Sequence, residues 1–186
     1  MRCFIAVDLD EPIRRDLNRL IDRLRLTCPK VQWVRPENLH LTIKFLGEID
    51  PAKIASIATT LDQFCSQCRP FDIQLRGLGV FPPAGPVRVI WVGVEDENGR
   101  LLAIQRQCEA VLEPLGFSRE RRPYSAHLTI ARNKSPAASG PLRRTVEEAS
   151  VFSAGSLSVH GLTLYESTLS PGGSIYQILS RHRFAT

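Results

Sequence analysis

Apolar residues recur every three or four positions in three long segments of the chain, and each segment is predicted to form an amphipathic helix. The first pattern runs from Ile13 to Leu24, the second from Ile54 to Phe64 and the third from Leu101 to Leu115. Pro51 precedes the second pattern, where proline suits the first turn of a helix. A shorter helix is predicted from Leu142 to Ala149.

Other apolar runs are short, rich in β-branched residues and bounded by Gly, Pro or polar clusters, which is typical of strands. Strands are predicted over residues 2–8, 31–34, 39–46, 71–78, 87–94, 123–131, 151–159, 162–167 and 174–184. Loops are predicted at 82–86 and 133–141, and a turn at 171–173. This mixture of elements predicts an α+β fold with two largely antiparallel sheets.

One tetrapeptide occurs twice in the chain. His40-Leu41-Thr42-Ile43 returns as His127-Leu128-Thr129-Ile130, with the histidines 87 positions apart in a chain of 186 residues. Each copy follows a helical segment and lies in a predicted strand. An internal duplication that produces two similar lobes explains this spacing most simply.

Strand geometry gives each copy of the repeat two different faces. Successive side chains of a strand point to opposite sides, so His40 and Thr42 share one face while their apolar neighbours share the other. The same holds for His127 and Thr129. If the two lobes face each other, one cleft receives two imidazoles and two hydroxyls.

This set of groups suits displacement at a phosphodiester. The attacking and leaving oxygens lie roughly in line through phosphorus, so one group must accept a proton and another must donate one. Imidazole can do either near neutral pH. Threonine hydroxyls can donate hydrogen bonds to the non-bridging oxygens. The scheme requires no metal or other cofactor.

The other histidines and the cysteines carry no such pattern. His160 has no assigned role, and His182, between two arginines, is predicted to be solvated. Five cysteines without a secretory signal predict free thiols. The pair Cys65 and Cys68 lacks the further ligands of a zinc site, and it closes a helical pattern instead of opening one as in thioredoxin-like motifs.

The net charge of +5 is concentrated in one part of the chain. Residues 119–144 contain seven Lys or Arg and one acid, Glu120, so this segment carries +6 and the remainder −1. We expect several of these basic residues to rim the cleft and meet phosphates. By strand alternation Lys44 shares a face with His40 and Thr42, and is a candidate for substrate binding.

The chain shows no targeting signal, because its N-terminal apolar run is too short for a signal peptide, and no later apolar stretch could span a bilayer. We therefore expect a cytoplasmic protein without membrane association. We also expect it to act as a monomer.

Longer motifs extend the pattern around both histidines. They are RCFIAV at 2–7, NLHLTIKFLGE at 38–48, GLGVFP at 77–82, VIWVGV at 89–94, HLTIAR at 127–132 and LYESTLSPGG at 164–173. In these motifs the chain resembles the 2H phosphoesterases, and more narrowly the RNA 2′,3′-cyclic phosphodiesterases, also called 2′-5′ RNA ligases.

The resemblance implies a single domain over residues 1–186, with two pseudo-symmetric lobes, outer helices and a central cleft. It implies hydrolysis of RNA 2′,3′-cyclic phosphate ends to 2′-phosphomonoesters, with His127 as base and His40 as acid. Arg132 matches a family arginine that binds phosphate, although strict alternation puts it opposite His127, so a bend is required. Relatives often have proline where this chain has Ala126.

Three other functions remain open on the sequence. The same chemistry could act on a small nucleotide cyclic phosphate, or the reaction could run toward 2′-5′ ligation. A third alternative is an RNA- or nucleotide-binding module with little catalysis. The four intact motif positions, two His and two Thr, argue against that third alternative.

Overall fold

The computed structural model describes residues 1–134, 139–171 and 173–185, and its helices follow the predicted periodicities. The four helices are α1 (Glu11–Thr27), α2 (Ile54–Cys65), α3 (Arg100–Leu112) and α4 (Ser139–Glu148). The strands are β1 (Arg2–Val7), β2 (Gln32–Trp33), β3 (Leu41–Glu48), β4 (Phe71–Phe81), β5 (Val89–Glu95), β6 (His127–Arg132), β7 (Ser153–Val159), β8 (Gly161–Ser170) and β9 (Gly173–Arg183).

The strands form two sheets in which every pairing is antiparallel. The first sheet has the order β3-β1-β8-β9 and the second β2-β6-β5-β4-β7. Helices α2 and α3 contact strands of the first sheet, whereas α1 and α4 contact strands of the second. The predicted α+β class with antiparallel sheets is therefore confirmed.

The sequence of helix α1 explains where this helix begins and which of its faces is buried. Asp10 caps its N-terminus by accepting a hydrogen bond from the backbone of Ile13 at 3.0 Å, and Pro12 lies in the first turn. Its apolar stripe is buried, with Leu17 and Ile21 wholly inaccessible. Burying such a stripe against a sheet supplies most of the stability of a helix in a protein.

Both copies of the repeated motif contain a β-bulge at the same position. Along β3, Thr42 pairs with Ala6 and Lys44 with Ile5, so Ile43 is an extra residue. Along β6, Thr129 pairs with Trp91 and Ala131 with Ile90, and Ile130 is the extra residue. Two consecutive side chains then lie on the buried side, and the next residue returns to the face of the histidine.

The boundaries differ from the predictions at a few places. Strand β6 begins at His127, so residues 123–126 precede it as irregular chain. Ser139 to Pro141 open helix α4, although a loop was expected there. The remainder of that loop, 135–138, and Gly172 in the predicted turn 171–173 lie outside the described residues.

Among the residues that the structure describes, no helix has the length and apolar character needed to cross a bilayer.

Candidate active site

His40 lies immediately before β3, after a 3₁₀ turn over Pro36–Asn38. Its Nδ1 atom is 2.7 Å from the carbonyl oxygen of Asn38. The imidazole packs beside Phe4, with 4.8 Å between ring centroids, and edge-on against Tyr176 at 5.2 Å. These contacts hold the ring in one orientation.

His127 is held in the same way in the second copy. Its Nδ1 atom is 2.8 Å from the carbonyl oxygen of Ser125, again two residues earlier in the chain. Phe81 packs edge-on against the imidazole at 5.1 Å, and Trp91 lies at 6.5 Å. The contact with Ser125 spans one intervening residue, Ala126.

The shared geometry fixes the tautomer of both imidazoles. A carbonyl oxygen can only accept a hydrogen bond, so Nδ1 of each ring must carry the proton. The Nε2 atom is then left to exchange a proton with another molecule. Each copy of the motif therefore presents the nitrogen that general acid or base catalysis needs.

The two motif strands lie side by side. Strand β3 contacts β6, although the two belong to different sheets. The hydroxyl of Tyr124, just before β6, donates a hydrogen bond to the carbonyl oxygen of Thr42 at 2.8 Å. The backbone of Val34 donates to Ile130 at 2.9 Å and extends β6 on its other edge. The chain thus brings both motifs to one region.

The bulges decide which residues follow the histidines on the exposed face. In β6, Leu128, Ile130 and Ala131 are wholly buried while Arg132 is exposed. The bulge at Ile130 supplies the bend that brings Arg132 to the same face as His127. Arg132 lines a cleft of about 540 Å³ together with Phe4 and Tyr176, the two rings that contact His40.

Lys44 does not share the face of His40, because the bulge at Ile43 turns it inward. The Nζ atom lies 2.6 Å from Oε2 of Glu109 and donates to the carbonyl oxygen of Ser118 at 2.9 Å. The side chains of Lys44 and Glu109 are only 2% and 6% exposed. The expectation from strict alternation was therefore wrong, and Lys44 lies away from the cleft.

The ion pair belongs to a brace between β3 and the chain that leads to His127. Glu109 on α3 also accepts a hydrogen bond from the backbone of Glu120 at 3.2 Å and one from Gln105 at 3.1 Å. Lys44 fixes Ser118, and Tyr124 fixes the next part of the segment against β3. Ser125, whose carbonyl orients His127, is thereby held relative to the strand of Thr42.

A family model for the LigT-like phosphoesterases matches the chain twice, over residues 7–91 and 92–176. The chain belongs to this family. The two consecutive matches coincide with the internal duplication, and membership confirms the resemblance to the 2H phosphoesterases. Each matched half contains one copy of the His-Leu-Thr-Ile motif.

Relatives of this LigT-like phosphoesterase cover nearly its whole length. A protein of Methanothermobacter thermautotrophicus named RNA 2′,3′-cyclic phosphodiesterase is 37% identical, over 95% of each chain. One of the same name from Archaeoglobus fulgidus is 38% identical, over 96% of this chain and 98% of its own. These identities extend well beyond the motifs.

Two solved structures share the fold of this chain. The Thermus thermophilus protein TT0787 superposes with a TM-score of 0.83 at 28% identity, over 99% of this chain and 98% of its own. Escherichia coli LigT complexed with 3′-AMP superposes with a TM-score of 0.80 at 25% identity, over 100% and 98%. The duplicated two-sheet architecture is therefore that of the family.

Four of the seven basic residues of segment 119–144 fall into two environments, while Arg121 and Arg122 are exposed. Arg132 and Lys134 line the cleft beside Phe4 and Tyr176, but neither motif histidine is among the lining residues, so the expected position of the basic residues at a cleft between the two motifs stays a prediction. Arg119 pairs with Glu113 at 2.8 Å, and Arg143 donates to carbonyl oxygens of the loop at 82–85. Since Phe81 at the start of this loop packs on His127, Arg143 supports the site indirectly.

His182 is buried, contrary to the expectation that it is solvated. Its Nδ1 atom lies 2.6 Å from Asp62 of α2, and its Nε2 atom 2.8 Å from the hydroxyl of Ser180. The arginines at 181 and 183 point outward from β9, so the residue between them points inward. His182 thus links α2 to the first sheet.

All five cysteines are free and buried, which confirms the prediction of free thiols. Burial raises the pKa of both Cys65 and Cys108 to about 12, so these thiols stay protonated at neutral pH.

The pKa of the His40 imidazole is lower than that of an exposed histidine. Burial, assisted by the positive charges of Arg132 and Arg14, lowers the pKa of His40 to about 4, while the Asn38 carbonyl and Asp8 act in the opposite direction. At neutral pH the imidazole is therefore uncharged in the free protein. A phosphate anion in the cleft would stabilise the protonated form and raise this pKa.

We expect NMR titration of the His40 ring to show a neutral imidazole from pH 7 down to about 5 in the free protein. The unfolded chain would protonate near 6.5, so this site makes folding less favourable as the pH falls from about 6.5 toward 4. Addition of 2′-AMP should move the titration to higher pH, whereas adenosine, which lacks the phosphate, should not. An unmoved titration with saturating 2′-AMP would place the phosphate away from His40.

Proposed function

We propose that this LigT-like phosphoesterase hydrolyses RNA 2′,3′-cyclic phosphate ends to 2′-phosphomonoesters by two-histidine acid–base catalysis without a metal ion. The observation that carries the proposal is the matched pair of imidazoles. Both have Nδ1 bonded to a carbonyl oxygen two residues earlier and Nε2 left for proton transfer. The names of the relatives, which specify RNA 2′,3′-cyclic phosphodiesterases, support the substrate class.

The reaction needs one water molecule and one transferred proton at each end. Nε2 of His127 accepts a proton from the water molecule, and the oxygen of that water forms the new bond to phosphorus. The bond between phosphorus and O3′ breaks, and Nε2 of His40 donates its proton to O3′. The products are a 2′-phosphomonoester and a free 3′-hydroxyl, with His127 protonated and His40 neutral until solvent restores both.

Other residues of the motifs would stabilise the pentacoordinate state. The hydroxyls of Thr42 and Thr129 would donate hydrogen bonds to the non-bridging oxygens as negative charge accumulates there. Arg132 would attract the phosphate into the cleft. Because the pKa of His40 is lowered, this acid would acquire its proton together with the anionic substrate. The assignment of His127 as the base and His40 as the acid rests on the family resemblance.

Phosphorus NMR of a dinucleotide that ends in a 2′,3′-cyclic phosphate tests the proposal directly. With EDTA present, we expect the cyclic signal to be replaced by a single 2′-phosphomonoester signal. Loss of turnover with EDTA and its return with a divalent metal would contradict the metal-free scheme. Binding without turnover would identify a binding module.

The same assay separates the remaining alternatives. Faster turnover of a cyclic mononucleotide than of the dinucleotide, compared as kcat/KM, would favour a small-nucleotide substrate. Addition of an RNA with a free 5′-hydroxyl would reveal ligation as a 2′-5′ phosphodiester signal. We expect hydrolysis of the dinucleotide to dominate.

A further inference from the structure

Two cavities adjoin at Lys134, just beyond the end of β6. One is the cleft of about 540 Å³ that Arg132 and Lys134 line, and the other has a volume of about 350 Å³. The second cavity is lined by Pro86, Val87, Arg88, Asn133 and Lys134. The rings that contact His40 line only the first cavity, so the second lies farther from His40, and the proposed chemistry does not use it.

The two cavities share a positive charge that nothing in their walls balances. The described residues that line them include four cations, Arg2, Arg88, Arg132 and Lys134, and no acid. Arg88 and Lys134 are exposed, and within the described part of the chain their side chains have no hydrogen-bond or ion-pair partner. Like charges gathered without counter-ions repel one another, and a bound anion would remove this repulsion.

Asn133 determines where the cations of the second cavity lie. Its buried side chain donates a hydrogen bond to the carbonyl oxygen of Val87 at 3.0 Å, and its backbone donates to the carbonyl oxygen of Arg88 at 2.9 Å. These bonds continue the pairing of β6 with β5 beyond Arg132. The residues on either side of buried Asn133, Arg132 and Lys134, are both exposed, as alternation requires.

The spacing of these cations suits successive phosphates of one RNA strand. Lys134 lies two residues beyond Arg132, which corresponds to roughly 6.5–7 Å in extended chain. Neighbouring phosphates of a strand are separated by at least the rise of about 3.4 Å between stacked nucleotides, and by more when the strand unstacks. With a cyclic phosphate attracted by Arg132, the next phosphodiester of the same strand would therefore come within reach of Lys134 and Arg88.

We propose that Lys134 and Arg88 form an upstream phosphate subsite, which binds the phosphodiester on the 5′ side of the terminal nucleotide. The inference rests on the proposed function, since it takes the cyclic phosphate to be bound beside the motif histidines. A cationic groove that tracks the backbone is the usual means of holding a single strand. An acidic protein segment is a weaker occupant, because the cavity adjoins the cleft of the reacting phosphate and an RNA end would fill both. The subsite makes an oligonucleotide end a better substrate than a cyclic mononucleotide.

Two dinucleotide substrates isolate the upstream charge. Both end in adenosine 2′,3′-cyclic phosphate, and both carry an upstream 2′-deoxyadenosine so that the linkage cannot break by attack of a neighbouring hydroxyl. One has the natural phosphodiester linkage and the other an uncharged methylphosphonate linkage. The measurement is the ratio of kcat/KM for the anionic dinucleotide to that for the neutral one, in which effects on the shared cyclic end cancel.

Four variants test the two cations. They are Lys134→Met, Arg88→Met, Lys134→Arg, which keeps the charge, and Arg106→Met, a control that removes an exposed charge of α3 outside both cavities. Because the three replaced side chains are exposed, the melting temperature should be nearly unchanged in every variant.

We expect the wild type to favour the anionic dinucleotide. Lys134→Met and Arg88→Met should each lower the ratio by about 2- to 10-fold, the usual contribution of one hydrogen bond. Lys134→Arg and Arg106→Met should keep the ratio, and added salt should lower it in the wild type. An unchanged ratio in either Lys134→Met or Arg88→Met would overturn the subsite. An equal fall in Arg106→Met would do the same, because it would reveal a general effect of net charge.

Failure of the proposed function would look different. If the wild type turned over neither dinucleotide, that function would fail, and the subsite would be judged by calorimetric binding of the two dinucleotides with an open 2′-phosphate end. Tighter binding of the anionic linkage, reduced in both Lys134→Met and Arg88→Met, would support the subsite. Equal affinity of the wild type for the two linkages would overturn it.

Discussion

Replacement of either His40 or His127 by alanine should reduce turnover of a 2′,3′-cyclic phosphate by about 10²–10⁴-fold, the usual contribution of general acid or base catalysis. The two imidazoles act in one displacement, so the double variant should be little slower than either single variant. Thr42→Ala and Thr129→Ala should lose less, because each removes one stabilising donor and leaves proton transfer intact. The measurement is kcat at saturating substrate for all five variants.

His160→Ala is the matched control, because this exposed histidine lies outside the two motifs. Near-normal turnover by His127→Ala would contradict the mechanism. The roles of the two histidines can be separated with bis(p-nitrophenyl) phosphate, whose leaving group needs no proton. On this substrate the variant that lacks the acid, His40→Ala, should recover activity relative to wild type, and the variant that lacks the base should not.

Lys44→Met should destabilise the fold by about 3–5 kcal/mol, because it leaves the carboxylate of Glu109 buried without its counter-ion. Both side chains are almost inaccessible, so water cannot replace the lost partner. The double variant Lys44→Met/Glu109→Met should recover most of this stability, since a buried ion pair can often be replaced by apolar residues of similar volume. Urea denaturation of the single and double variants gives these free energies of unfolding.

Arg119→Met provides the contrast for this experiment. Arg119 pairs with Glu113 in the same region, but both side chains are more than half exposed, so its loss should change the stability by less than about 1 kcal/mol. If the double variant is stable but slow, with kcat reduced and KM unchanged, the brace also positions His127. Equal stability of Lys44→Met and Arg119→Met would refute the structural role of the buried pair.

Periodicity and repetition predicted the parts of this protein that depend on local sequence. The apolar stripes located the helices, and the two identical tetrapeptides located the histidines and the duplication. The position of Lys44 was predicted wrongly because the bulge at Ile43 turns the Lys44 side chain to the face opposite His40, and a bulge has no reliable sequence signal. The burial of His182 was also predicted wrongly, although the sequence contains a signal for it. When two arginines flank one residue in a strand, alternation places that residue on the face toward the core.

Contacts between distant segments could not be predicted in the same way. Phe81 touches His127, and Glu109 meets Lys44, across separations of 46 and 65 residues. Neither pair shares an element, and no periodicity connects them. Such contacts arise from the packing of α3 and the loop after β4 around the two sheets.

The position after each bulge has a consequence for the direction of bond cleavage. Two identical half-sites would treat O2′ and O3′ of a cyclic phosphate alike, and would yield both regioisomers. Along the exposed faces of β3 and β6 the copies agree at His and Thr and first differ at Phe45 and Arg132. The choice between O2′ and O3′ as leaving oxygen must therefore come from positions at which the two half-sites differ. Along the exposed faces of these strands, the first such positions directly follow the buried pair of residues at each β-bulge.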